Sequence, residues 1–159
     1  MNRFALSATG LMAATASAAP VEIDVTLDYW AGEAGIQIFN SASSLVASFA
    51  VVSGYLSATG MSIIAFSVNG SSAYSSGYSM TLAGDFAAGD YTIVLTDTYG
   101  DGWSWNGVAG GISGYGGAAS GSAIFFSTGS STSGSFTVVP APAGLALLGL
   151  AGLSRRRRG

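Results

Sequence analysis

Apolar and polar residues alternate strictly from Val21 to Tyr29. Val21, Ile23, Val25, Leu27 and Tyr29 fall on one side, and Glu22, Asp24, Thr26 and Asp28 on the other. A period of two over this length predicts a half-buried strand. Further strands are predicted over Gly35–Asn40, Leu45–Val52, Ser62–Val68, Tyr78–Leu82, Tyr91–Asp97, Ser122–Ser127 and Ser135–Val139, with glycine, serine and asparagine clusters between them. Short strands with turn-rich gaps predict an all-β fold, an antiparallel β-sandwich or jelly-roll-like domain. No segment of this region carries a helical stripe. Gly110 to Gly121 is glycine-rich and reads as a long loop, and Gly129 to Gly134 reads as a hairpin turn. Trp30, Phe125, Phe126 and Phe136 are expected in the core, as most large aromatics are.

The alternation stops at both ends of the chain. Met1-Asn2-Arg3 precedes a small, apolar stretch from Phe4 to Thr15, and Ala16-Ser17-Ala18 follows. A basic start, an apolar run and a small-x-small triplet predict a signal peptide helix over residues 1–18, cut by signal peptidase after Ala18. At the other end, Pro140-Ala141-Pro142 breaks the last strand. An apolar run from Ala143 to Leu153 follows, then Ser154 and Arg155, Arg156, Arg157 and Arg158. As a helix that run is about 16 Å long, short of the roughly 20 residues a bilayer core needs. It suits transient inner-membrane retention, with the arginines holding its far end on the cytoplasmic side. The expected organisation is a signal peptide over 1–18, a β-sandwich over 19–139 and a sorting tail over 140–159.

The last 20 or so residues resemble the PEP-CTERM sorting signal of Gram-negative bacteria: a Pro-Glu-Pro-like motif, a short hydrophobic helix and an arginine cluster. Ala141 stands where that family most often has glutamate. The resemblance implies recognition and cleavage by an exosortase, a membrane protease-transpeptidase. It also implies delivery to the cell surface or extracellular polymer matrix.

Charge sharpens this division. The 159 residues carry five basic side chains and eight acidic ones, with no histidine, for a net charge of −3. Every base lies in an end segment, as Arg3 and Arg155 to Arg158, and every acid lies between. The domain without its ends therefore holds eight acids and no base. Such a domain repels nucleic acid, whose binding rests on lysine and arginine neutralising phosphates. Divalent cations are its natural partners. The absence of cysteine and histidine removes thiolate zinc sites, thiol nucleophiles and the commonest general base. Serine is abundant, but no histidine or lysine stands in the domain to activate it. Paired carboxylates serve glycosidases, yet a small domain with few long loops offers little substrate cleft. We expect no enzyme.

The segment richest in chemistry is Asp97-Thr98-Tyr99-Gly100-Asp101-Gly102-Trp103, followed by Asn106-Gly107. Two carboxylates four apart across a glycine let a loop curl so that both face one point. Calcium takes six to eight oxygens, some from backbone carbonyls at such turns. Against the EF-hand loop, Asp97, Asp101 and Gly102 match its first, fifth and sixth positions. Tyr99 and Val108 occupy the third and twelfth, and a strand precedes the loop, so this is not an EF-hand. Asp97 and Asp101 are candidate calcium ligands, with Asn106 and with Asp28 or Glu33 from the end of the first strand. The same residues also make tight turns, with aspartate capping backbone N–H groups. Tyr99, Trp103 and Trp105, with Tyr115 further along, are candidates for stacking on sugar rings; burial in the core is the alternative.

The stretch also resembles a module of secreted and surface proteins. That module has a first strand ending in Asp with an acid soon after, then a Gly-Asp-Tyr strand, an Asp-x-Tyr-Gly-Asp-Gly-Trp loop and a closing Ser-x-x-Phe-x-Val-like strand. The matching residues are Leu27-Asp28-Tyr29 with Glu33, Gly89-Asp90-Tyr91, Asp97 to Trp103, and Gly134 to Val138. This resemblance implies a β-sandwich and a surface role. Two functional expectations follow: a structural or adhesive protein embedded in extracellular polysaccharide, or a calcium-dependent carbohydrate-binding module.

Overall fold

A computed structural model describes residues 18–139. Residues 1–17 of the signal peptide expected over 1–18, and the whole sorting tail expected over 140–159, with Pro140-Ala141-Pro142, the apolar run and the four arginines, lie outside the described residues. From its start the chain forms β1 (Ala19–Leu27), a 3-10 turn (Ala31–Glu33), β2 (Ala34–Asn40), β3 (Leu45–Val52), β4 (Tyr55–Thr59) and β5 (Ser62–Val68). A one-turn helix, α1 (Ala73–Ser76), leads into β6 (Tyr78–Phe86) and β7 (Gly89–Asp97). The short strands β8 (Ser104–Trp105) and β9 (Val108–Ala109) precede β10 (Gly111–Gly117), β11 (Ala119–Gly121), β12 (Ile124–Phe125) and β13 (Ser131–Val138).

Two antiparallel sheets pack face to face. One has the order β12-β10-β1-β6-β5, the other β11-β13-β7-β2-β3-β4, and β8-β9 form a separate hairpin. The alternation read from the sequence explains why they meet. β1 buries Ala19, Val21, Ile23, Val25 and Leu27 while Glu22 and Asp24 point outward. The facing sheet supplies Ile36 and Ile38 from β2, Phe49 from β3, and Ile93 and Leu95 from β7. Each such side chain contributes about 1.5–3 kcal/mol on leaving water. Phe136 of β13 lies between two rings, stacked on Tyr91 and on Tyr115, each at 5.2 Å. The expected core positions of Phe126 and Phe136 hold, at 1% and 2% exposure.

The structure corrects several expectations. Gly110–Gly121 is not a loop: β10 pairs with β1 from Val21↔Gly117 to Thr26↔Gly111, and β11 pairs with β13. At Gly110, Gly111 and Gly117 other backbone lies too close for a side chain. A Cβ on Gly111, whose φ is +142°, would stand 1.9 Å from the Ile124 carbonyl oxygen. The strand expected over Ser122–Ser127 shrinks to Ile124–Phe125, and β13 begins at Ser131 inside the stretch read as a turn. β6 runs four residues beyond its expected end, to Phe86. The first strand ends at Leu27, so Tyr29 leaves the inward face and is 38% exposed, while Asp28 is buried. Phe125 and Trp30, expected inside, are 68% and 50% exposed.

Candidate metal centre

Strand register brings the acidic residues together at one end of the sandwich. β1 ends at Leu27, and the chain crosses to the other sheet through Asp28 and the 3-10 turn. It enters β2 with Ala34 paired to Asp97, the last residue of β7. Glu33 therefore lies beside the loop that leaves β7. The Thr98 N–H donates to the Glu33 carbonyl oxygen at 3.1 Å, and the Thr98 hydroxyl does so at 3.2 Å. On the other side, the Asp97 N–H donates to the Ser130 carbonyl oxygen at 3.0 Å.

The loop is pinned from below by Trp103. Its indole N–H donates to the Thr96 carbonyl oxygen at 3.0 Å, and its backbone N–H to the Phe126 carbonyl oxygen at 2.7 Å. At 2% exposure Trp103 packs against Phe126 in the core, which removes it from the candidate sugar-stacking residues. The turn needs Gly102. Its φ is +86°, and a Cβ there would lie 2.5 Å from the Thr128 nitrogen.

Glu33, Asp97 and Asp101 each place a carboxylate oxygen within 4.8 Å of the others. They differ in burial: Asp97 is 4% exposed, Glu33 is half-buried and Asp101 is exposed. Asp97 Oδ1 accepts from the N–H groups of Tyr99 at 2.8 Å and Gly100 at 3.0 Å. That is the aspartate turn foreseen from the sequence. Its second oxygen, Oδ2, is buried with no hydrogen-bond partner. An ionised oxygen in that position costs more than 1 kcal/mol unless something compensates it. A turn-forming aspartate needs one such oxygen; this site holds a second.

Electrostatics follow from the crowding. Burial holds Glu33 above the ordinary glutamate range, and the charges of Asp97, Asp101 and Asp28 add to this. Asp28 is also raised, chiefly by burial and then by Asp101 and Asp97; the Trp30 N–H bound to its Oδ1 at 2.8 Å works against this. No lysine or arginine stands among the described residues to neutralise the group. Its carboxylate oxygens are donors of the kind that suits a divalent cation such as calcium.

Three of the candidate ligands, Asp97, Asp101 and Glu33, are thus brought into one group. Asp28 lies near enough to interact with the charges of all three but is outside the cluster. Asn106 is placed elsewhere. With φ of 51°, and with Gly107 at 86°, it makes the two-residue turn between β8 and β9. Its side-chain N–H donates to the Tyr74 carbonyl oxygen at 3.3 Å. Asn-Gly is the strongest short hairpin signal, and that signal marks β8–β9 in the sequence.

Beside the carboxylates lies an open groove of about 430 Å³, lined by Trp30, Glu33, Tyr99, Asp101 and Trp105. Tyr99 and Trp105 were candidates for sugar stacking; Tyr115 instead packs on Phe136 beneath the sheet. Trp30, Tyr29 and Tyr74 belong to this surface and were not foreseen. They come from the β1–β2 crossover and from α1, remote in sequence from the acidic loop, and no local pattern joins them to it.

Comparison of the chain with protein-family models, with curated proteins and with solved structures gives no match.

Proposed function

We propose that this chain is an exported, non-enzymatic protein of the cell surface or extracellular matrix, whose sandwich holds calcium at one end and uses that end to contact polysaccharide. Asp97, whose buried Oδ2 has no partner and whose carboxylate lies within 4.8 Å of those of Glu33 and Asp101, is the observation that carries the metal part. The groove of exposed aromatics against the same carboxylates supports the polysaccharide part.

Export rests on the sequence of the two ends. Ala16-Ser17-Ala18 is the site for signal peptidase, and Pro140-Ala141-Pro142 with Arg155 to Arg158 is the signal for an exosortase-like protease. The tail retains the chain at the inner membrane until it is processed. Among the described residues no helix is long and apolar enough to cross a membrane. The mature domain, with eight acids and no base, has nothing to hold nucleic acid.

Isothermal calorimetry of the whole chain with calcium chloride tests the metal part. Saturable uptake of one ion, lost in Asp97→Asn, is expected; absence of calcium heat would remove it. Mass spectrometry of the protein from its native host tests the address, with cleavage after Ala18 and a shortened C-terminus expected. An intact tail on cytoplasmic protein would overturn it.

A further inference from the structure

The end of the sandwich that carries the carboxylates also carries a connected set of uncovered aromatic rings. Tyr29, Trp30, Trp105 and Tyr74 form a closed circuit of edge-to-face contacts. The centroid separations are 5.0 Å for Tyr29–Trp30, 6.3 Å for Trp30–Trp105, 6.2 Å for Trp105–Tyr74 and 5.4 Å for Tyr74–Tyr29. All four are more than a third exposed. Scattered exposed aromatics need no explanation, but a joined patch beside a groove marks a binding surface. Each ring is braced by two others, so binding costs little side-chain entropy. Tyr99, 79% exposed, stands on the groove as a further wall.

The charge balance selects the occupant. Glu33, Asp97 and Asp101 carry more negative charge than one calcium ion neutralises, and Asp28 adds to it. An anionic polymer meets residual repulsion here, and no lysine or arginine offsets it among the described residues. Coordination is also incomplete. Asp97 Oδ1 is held by two N–H groups, while Glu33 and Asp101 line the groove. A calcium ion held by these three groups would need further oxygens to reach six to eight, and a ligand in the groove lies beside two of the three.

We propose that the groove binds an uncharged glycan, a neighbouring pair of sugar hydroxyls completing the calcium shell and the apolar C–H face of a sugar ring lying on Trp30, Trp105 or Tyr99. This rests on the calcium reading above and adds the ligand class and its two contacts. The extent of the aromatic circuit beyond the carboxylates fits a polymer segment better than a single sugar.

The test is affinity electrophoresis of the whole chain through gels containing a soluble β-glucan, a mannan, a galactan or polygalacturonate, each with calcium or with chelator. Retardation by at least one neutral polymer, in calcium only, is the expected result. The double variant Trp30→Ala, Trp105→Ala should bind that polymer roughly tenfold or more weakly while still giving calcium heat in calorimetry. Tyr55→Ala, on an exposed ring of β4, should bind like the wild type. Calcium heat with no neutral polymer retained overturns this inference and leaves the metal reading standing; loss of calcium heat overturns both. Equal retention in chelator removes the hydroxyl–calcium contact, and preferential retention by polygalacturonate refutes the charge argument.

Discussion

Replacing Asp97 by asparagine separates the turn-forming role of this residue from the role proposed for it toward a cation. The amide retains an oxygen where Oδ1 accepts from Tyr99 and Gly100, so the turn survives. The charge is lost, with two effects. Hydrogen bonds to a charged acceptor are worth about 1.5–3 kcal/mol and those to a neutral one about 1 kcal/mol, so the turn weakens. Against this, repulsion from Glu33 and Asp101 disappears. Unit charges at 4.8 Å repel by about 1 kcal/mol in a water-like dielectric and about 3.5 kcal/mol at an effective dielectric of 20. Asp101 is exposed and salt screens the pair, so the lower figure applies. The two effects offset, and Asp97→Asn should stay within about 1 kcal/mol of the wild type in chelator. Asp97→Ala loses both hydrogen bonds and should cost about 2–4 kcal/mol. Calcium changes the order. At a hundredfold excess over Kd it adds about 2.7 kcal/mol to a protein that binds it when folded. For a domain of this size that raises Tm by about 10 °C. Thermal scans of the three proteins, with calcium and with chelator, should show this rise in the wild type alone. An equal rise in Asp97→Asn, or none in the wild type, would refute the reasoning.

The remaining expectations concern acid, the two tryptophans and the glycine turns. Glu33 and Asp28 are held above their ordinary values of 4.5 and 3.8. In the window between those values and the raised folded ones, the native state binds more protons than the unfolded chain. Stability in chelator should therefore rise as pH falls through that window; in saturating calcium the trend should reverse, because protons compete with the ion. Melting scans across pH in both buffers check the sign. Trp103→Ala should cost about 3–5 kcal/mol, because it removes a buried ring. Trp30→Ala should cost under about 1 kcal/mol, since half of that ring is exposed, and denaturant titration compares the two. Gly102→Ala and Gly107→Ala share a φ of +86°, but only the first places a Cβ against backbone, with Thr128 N at 2.5 Å. The second should cost about 1–2 kcal/mol for the left-handed conformation alone, and the first distinctly more by the same titration.

The amino-acid sequence by itself determined the class of the fold. The alternation in β1, β2 and β7 left one apolar face on each strand, and such faces are stable only when packed against one another. It also determined that the acidic loop turns at Gly100 and Gly102, and that the carboxylates of Asp97 and Asp101 come together. Tertiary structure decided the rest. β10 was illegible because the glycines at its two ends, Gly111 and Gly117, reflect the nearness of Ile124 and Pro20, a property of distant chain that no local pattern encodes. Trp30 left its expected place in the core because β1 ends at Leu27 and lets the crossover leave the sheet before it, while of the two readings of Trp103 core burial is the one that holds. Glu33 joined the carboxylates through the pairing of Ala34 with Asp97, and Tyr74 joined the aromatics through α1. Period and turn chemistry act over a few residues. A site whose members lie dozens of residues apart is assembled by strand register and by the side chains the core has no room to bury.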